Sequence, residues 1–463
     1  MEIYGVILVI LSLAALVFFA YRGVSIIILA PTLAVATFLA EGIFLGQTYG
    51  FAVLTETFMK GMSDYVFNYF LIFLLGAVFG KLMDATGCAK SIAEVISRRL
   101  GGGLAVMAVI LSCALLTYGG VSLFVVVFAA YPIAASLFRQ ADIPRKFLPA
   151  AIAAGAFTFT MTALPGSPQI QNAVPMKYFG TDVYAAPILG IIASVLMFLL
   201  SYLWLSFRIK RAKARGEGYG EDQAALSETQ EKLPSIWLAL LPILLVLVIN
   251  LVMSKFLFPA MDLSYVKDVF GKDPASLTGN WSLIAALLIS LIVCLLCNLK
   301  RLKGRKMTTV NEGIESSFSA IMNTAMVVGY GSVIKTLGAF TTIKEAIVGI
   351  SDNPLVADAV STSVLAGVTG SASGGLSIAL EALGADLMAM ASAMNISPEV
   401  LHRIASIASG GLDTLPHNGA VITLLAVTGS NHKKSYLDIC ICTVVIPTIT
   451  VILCILLGTI GVC

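Results

Sequence analysis

Apolar residues run along the chain in blocks of roughly 18 to 25, parted by short polar stretches, and no block shows the alternation of period two that a membrane β-barrel requires. The pattern predicts embedded segments near residues 4–21, 24–46, 68–84, 104–137, 147–175, 183–207, 234–258, 281–299, 315–336, 355–394, 399–429 and 437–461. The first block has no basic n-region and no small-residue cleavage site, and Arg22 leads at once into the next apolar run, so it reads as a transmembrane helix. The expected fold is an all-α polytopic membrane protein.

Four segments depart from a simple span. Segments 104–137 and 355–394 are too long for one crossing, and each holds a glycine cluster near its middle, 118-YGGVS-122 and 369-TGSASGG-375, which predicts re-entrant hairpins. Segments 147–175 and 399–429 are interrupted by 162-TALPGSPQIQN-172 and 410-GGLDTLPHNGA-420, which predicts two broken transmembrane helices. The two sets belong to one series. Lys81, Lys90 and Pro144 recur as Lys335, Lys344 and Pro398 at a constant offset of 254, which argues for duplication.

Lysine and arginine set the orientation. Arg22, Arg98, Arg99, Arg139, Arg145, Lys146, the runs 208-RIKRAKAR-215 and 300-KRLKGRK-306, Lys433 and Lys434 fall on one side, which the positive-inside rule makes cytoplasmic. The first hairpin's ends then lie inside and the second's outside, so two inverted-topology repeats are expected, with both termini outside. The expected organisation is 1–66 as N-terminal scaffold helices, 67–207 as the first inverted repeat, 208–233 as a cytoplasmic linker, 234–314 as further scaffold helices, and 315–463 as the second repeat.

Composition excludes a soluble protein: 58% of residues are hydrophobic, 12% are charged and the mean hydropathy is +0.94. A formal net charge of +3 gives no reason to expect nucleic acid. Most of the eight cysteines lie inside apolar runs and read as reduced packing residues. The pair Cys294 and Cys297 has no second pair or nearby histidine to complete a zinc site, so neither a metal nor a cofactor is expected.

The chemistry concentrates at the breaks. In the first, prolines free backbone N–H groups, Gly166 permits a turn, and Thr162, Ser167, Gln169, Gln171 and Asn172 add neutral donors, a set suited to a carboxylate and hydroxyls. The second carries Thr414 and Asn418 with two ionisable groups. Charge at membrane depth marks ion or proton pathways, so Asp413 is the first candidate proton carrier and His417 the second, or a ligand. At the hairpin tips Gly119, Gly120 and Gly374 allow close approach, and Ser122, Ser371 and Ser373 supply hydroxyls. Glu381 is a weaker proton-pathway candidate, and Arg403, beside His402, is expected to snorkel from the outer end of the second broken helix. Two rivals come from other classes: an intramembrane serine hydrolase built on 371-SASGG-375 with His402 or His417, and a passive channel.

The order YGGVS, TALPGSPQIQN, YFGTDVYAAPILG, TGSASGG and GLDTLPHNGAV resembles the gluconate permease (GntP) family of the ion-transporter superfamily, across essentially the whole chain. The D-T-L-P-H-N of the second break sets it nearer the branch associated with 3-hydroxybutyrate. The resemblance implies a bacterial inner-membrane proton symporter for a small hydroxy-monocarboxylate, working as an elevator within the lipid bilayer. It implies substrate contact by Ser122, Ser167, Gln169, Asn172, Ser373, Asp413, His417 and Asn418, and a homodimer through the helices of segments 24–46 and 234–258. Sodium is the alternative coupling ion, since unwound carbonyls with Asn172 and Asn418 suit a hard cation.

Overall fold

The computed structural model describes residues 2–22, 24–45, 50–100, 102–121, 123–220, 233–272, 274–416 and 418–463; Ser122 and His417, both expected at the site, lie outside the described residues. The chain opens with α1 (Glu2–Tyr21) and α2 (Ile26–Leu45), which pack together, and then α3 (Met59–Ala85), entered through Gly50–Ala52 and a π-helical turn at Val53–Phe58. Next come α4 (Cys88–Leu100), α5 (Ala105–Tyr118), α6 (Leu123–Gln140), α7 (Leu148–Ala156), the single turn α8 (Phe159–Thr162), α9 (Ile170–Phe179) and α10 (Pro187–Lys213). Two long helices follow, α11 (Ile236–Val252), prolonged by a π-turn at Met253–Leu257, and α12 (Ala275–Cys297). The remainder is α13 (Lys306–Ile334), α14 (Gly338–Val348), α15 (Pro354–Thr369), α16 (Ala372–Ala393), α17 (Pro398–Ser409), a 3-10 turn at Leu412–Thr414, α18 (Gly419–Val427), α19 (His432–Cys440) and α20 (Ile446–Thr459).

Among the described residues there is no strand, and eight helical runs are long and apolar enough to cross a membrane. The apolar outer face confirms the solvent. Along α10, Ile188, Ile191, Val195, Leu199, Leu203 and Phe207 are all exposed at spacings of three and four, a stripe that water would not tolerate and hydrocarbon does. All eight cysteines are free, and Cys88, Cys113, Cys294, Cys442 and Cys454 are buried in packing roles.

The same five elements occur in the same order in both halves. A long helix (α3; α13) leads to a shorter helix with one polar face (α4; α14), a helical hairpin (α5–α6; α15–α16), a broken helix (α7–α9; α17–α18) and a closing helix (α10; α19–α20). The long helices α3 and α13 pack on each other along their lengths. Each hairpin reverses within a few residues, and the reversal needs glycine: Gly120 has φ +89° and Gly370 φ +58°, where a Cβ costs about 1–2 kcal/mol.

Three boundaries differ from the hydropathy reading. The third span begins at Gly50 rather than 68, where Glu56, Lys60 and Asp64 recur one turn apart, a helical spacing that apolarity alone does not reveal. The polar stretch 306-KMTTVNEGIE-315 likewise belongs to α13. Most of the run 208-RIKRAKAR-215 is the end of α10, and Arg208 Nε donates to Asp438 Oδ1 at 2.9 Å, locking α10 to α19 rather than sitting in a loose connector.

Candidate functional site

Prolines and glycines decide where the two broken helices open. In the first, the chain passes through Leu164, Pro165, Gly166 and Ser167 before α9 restarts at Ile170, and no side chain caps that restart. In the second, Gly410 and Gly411 end α17, and α18 restarts at Gly419 with Asn418 as its cap. Asn418 Oδ1 accepts from the amides of Ala420 at 2.7 Å and Val421 at 3.0 Å. The two restarts therefore differ electrostatically: the N-terminus of α18 is satisfied from within, whereas that of α9 keeps the Ile170 and Gln171 amides for another acceptor.

Each break is tied to its own hairpin by a carboxamide. Gln169 Nε2 donates to Thr117 O at 2.7 Å, at the end of the first hairpin's first limb. Asn418 Nδ2 donates to Gly370 O at 3.0 Å, at the tip of the second. A second relation also recurs, since Asn172 Nδ2 donates to Ser167 O at 2.9 Å and Asn418 Nδ2 to Asp413 O at 2.8 Å, each reaching five residues back across the break.

Breaks and hairpin tips enclose a cavity of about 690 Å³, within the usual range for small-molecule sites. Of the residues singled out above, Gly120, Gln169, Gln171, Ser371, Ser373, Asp413, Thr414 and Asn418 line it. Asp413 is 5% exposed and its Oδ1 has no hydrogen-bond partner. Among the described lining residues it is the one ionisable side chain, and no lysine, arginine or histidine faces it from the wall. Gln171 is 6% exposed, with Oε1 unpartnered.

The other expected residues lie behind the wall. Gly119 abuts Ile243 of α11, Gly166 turns with φ +82°, and Gly374 donates its amide to Ser371 Oγ at 3.1 Å. Ser167 Oγ donates to Thr160 O at 2.8 Å, and Thr162 O accepts from Ser406 Oγ at 2.6 Å, joining the two breaks. Glu381, on the return limb of the second hairpin, accepts from Tyr178 Oη at 2.9 Å and has Lys335 Nζ at 3.7 Å from Oε1, away from the cavity.

Arg403 corrects an expectation. It does not snorkel; it is fully buried, because the loop after α9 offers a cage of oxygens. Nε and Nη2 donate to Ala185 O at 3.0 and 2.6 Å, Nη2 reaches Val183 O at 3.3 Å, and Nη1 donates to Asn172 Oδ1 at 3.0 Å. Asn172 Oδ1 also meets His402 Nε2 at 3.1 Å, and Thr181 Oγ1 lies 2.6 Å from His402 Nδ1. The Asn172 carboxamide is thus fully engaged inside the protein, with Arg403 and His402 fastening α17 to the first break. His402 has both ring nitrogens occupied by Thr181 and Asn172, so it serves no serine of 371-SASGG-375 as a base.

One wall of the cavity had no forewarning in the motifs. Ser316, Ser319, Ala320, Asn323 and Thr324 of α13 line the same space beside Ile72, Phe73, Gly76 and Ala77 of the adjoining α3. The spacing of three and four residues that joins the α13 set was the available signal.

The comparisons agree with this architecture. The chain matches the GntP family permease over residues 4–460. It is 43% identical over 449 residues to the uncharacterized transporter YxjC of Bacillus subtilis, covering 94% of each chain. It is 27% identical over 198 residues to an uncharacterized transporter of Haemophilus influenzae, covering 42% of this chain and 45% of that one. In fold it is similar to the crystal structure of the Alcanivorax borkumensis YdaH transporter, with a TM-score of 0.57, 14% identity and 89% of each chain covered.

The chain belongs to the GntP permease family, and is a multi-pass membrane protein of the transporter type.

Proposed function

We propose that this GntP family permease is a secondary transporter that carries a small hydroxy-monocarboxylate, 3-hydroxybutyrate or gluconate, together with a proton across the bacterial inner membrane. The observation that carries the reading is the charge of the cavity: one carboxylate, Asp413, and no cation among the described lining residues. A substrate carboxylate about 5 Å from an ionised Asp413 would be repelled by roughly 3 kcal/mol at an effective dielectric of about 20. Protonating Asp413 removes that repulsion. Substrate anion and proton therefore favour each other's binding, which is the thermodynamic core of symport.

The carboxylate goes to the N-terminus of α9, where the amides of Ile170 and Gln171 have no side-chain cap. Asp413, on the second break, lines the same cavity. The recurrent order of elements and the placement of basic residues support two inverted repeats, with both termini outside and the hairpins and broken helices moving as one body against α3, α11, α12 and α13. In the same reading the protein is a homodimer through α2 and α11.

Sodium coupling is the second reading, favoured by the unpartnered Asp413 Oδ1, a hard oxygen donor on a residue of the cavity wall. Proteoliposome uptake of labelled 3-hydroxybutyrate and gluconate under an imposed proton gradient, an imposed sodium gradient or neither separates the readings. Accumulation driven by the proton gradient alone is expected. Accumulation that follows sodium, or equilibration without accumulation, contradicts proton symport.

A further inference from the structure

One side of the cavity is built by two helices packed on each other, α3 and α13, and they are unlike in chemistry. On α3 it is hydrocarbon and glycine, from Ile72, Phe73, Gly76 and Ala77; on α13 it is a ladder of Ser316, Ser319, Asn323 and Thr324. Ser316, Ser319 and Asn323 recur at spacings of three and four and so stand on one face over two successive turns, with Thr324 next to Asn323 at its edge. Thr324 Oγ1 is satisfied by Ala320 O at 3.3 Å, and the neighbouring Ser317, which turns away, by Ile314 O at 2.6 Å. Among the described residues, Ser316, Ser319 and Asn323 have no hydrogen-bond partner. Asn323 lies near the middle of the 29-residue α13, where an unpaired carboxamide in a spanning helix is costly unless it meets a polar group in a cavity.

We propose that Asn323, with Ser319 one turn and Ser316 two turns before it, reads the hydroxyl of the substrate, and that Ile72 and Phe73 take its alkyl face. The proposal rests on the reading of this cavity as a carboxylate site and narrows the substrate class. With the carboxylate held at α9, a molecule lying along the α3–α13 seam meets hydrogen-bonding groups from one helix and hydrocarbon from the other. A short acid with one hydroxyl and one alkyl substituent satisfies both. A fully hydroxylated sugar acid sets hydroxyls against Ile72 and Phe73, and a plain alkanoate leaves Asn323 unpaired. Rejection of an analogue that lacks a hydroxyl is the stronger discrimination, because it strands a polar group of the site.

The test compares ligands as well as proteins. Uptake kinetics in proteoliposomes are measured for 3-hydroxybutyrate and butyrate, with competition by each unlabelled acid and by gluconate, for wild type, Asn323→Leu and Ser319→Ala. Wild type is expected to prefer 3-hydroxybutyrate over butyrate. Asn323→Leu is expected to reduce that preference about tenfold or more, chiefly through poorer use of the hydroxylated acid, and Ser319→Ala to reduce it less but in the same direction. If Asn323→Leu does not fold, the Ser319→Ala ratio decides. A preference unchanged in the folded variants, or equal losses for both acids, overturns the assignment while leaving the carboxylate site standing. Wild-type protein that neither carries nor is inhibited by any of these acids overturns both.

Discussion

Asn418 Nδ2 donates to the main-chain oxygen of Asp413 at 2.8 Å and to that of Gly370 at 3.0 Å, so one carboxamide joins the proposed proton carrier, the second break and the tip of the second hairpin. The same side chain caps α18 through Oδ1. The position of Asp413 is thereby coupled to a restart of helix more than to any ion pair.

Replacing Asn418 separates these duties. Asn418→Ala loses the cap and both donors, and is expected to destabilise the protein by about 1–2 kcal/mol through the cap alone while also slowing uptake. Asn418→Asp keeps an accepting oxygen for Ala420 and Val421 but loses both donors and adds a negative charge beside Asp413. Its apparent melting temperature in detergent should stay near wild type, while proton-driven uptake falls further than in Asn418→Ala. Equal uptake in the two variants would show that charge at this position is irrelevant.

Arg403 predicts a stability effect without a direct effect on substrate contact. Removing the guanidinium in Arg403→Met leaves Ala185 O without its donor, at a cost of about 1–3 kcal/mol for a buried acceptor, and loosens the hold of α17 on the first break. Arg403→Lys should not restore stability, because an ammonium on a flexible stem does not reproduce the fork that serves Ala185, Val183 and Asn172 together. Thermal unfolding of the three proteins in detergent checks this. A fully stable Arg403→Lys variant contradicts it.

Asp182 Oδ2 lies 2.8 Å from Lys255 Nζ, linking the loop after α9 to the π-turn after α11. If the broken helices move against α11, this pair parts in every cycle. The contact is partly exposed and worth about 0.2–1 kcal/mol, so its loss is expected to change exchange rates a few-fold at most. Asp182→Asn, Lys255→Gln and the double variant should show the same change in counterflow rate, a signature of one shared interaction. Additive changes would mean that the two residues act separately.

Much of the architecture is legible in the sequence because membrane chemistry is strict. Pro165, Gly166 and Pro168, clustered within four residues, break a helix where a single proline only kinks one, and Gly120 and Gly370 sit where a tight reversal needs them, so breaks and tips announce themselves. Asp413 is conspicuous as a charge inside an apolar run. What the sequence hides is direction. Asn172 and Gln171 are neighbours, yet one turns to Arg403, more than two hundred residues on, and the other to the cavity. Arg403 looks like an interfacial cation until the carbonyls of Val183 and Ala185 are placed around it. Ser316, Ser319 and Asn323 look like the small polar residues of any packed transmembrane helix, because which stripe meets a cavity is fixed by neighbours remote in the chain.

The central claim is that Asp413 carries the coupling proton, and one paired measurement tests it most directly. Wild type and Asp413→Asn are reconstituted side by side, and labelled 3-hydroxybutyrate is followed both in proton-gradient-driven uptake and in counterflow exchange with no gradient. The neutral carboxamide imitates a protonated Asp413, so the variant is expected to exchange substrate at a rate comparable to wild type but to accumulate none in response to the gradient. Gradient-driven accumulation that survives in Asp413→Asn would contradict the account.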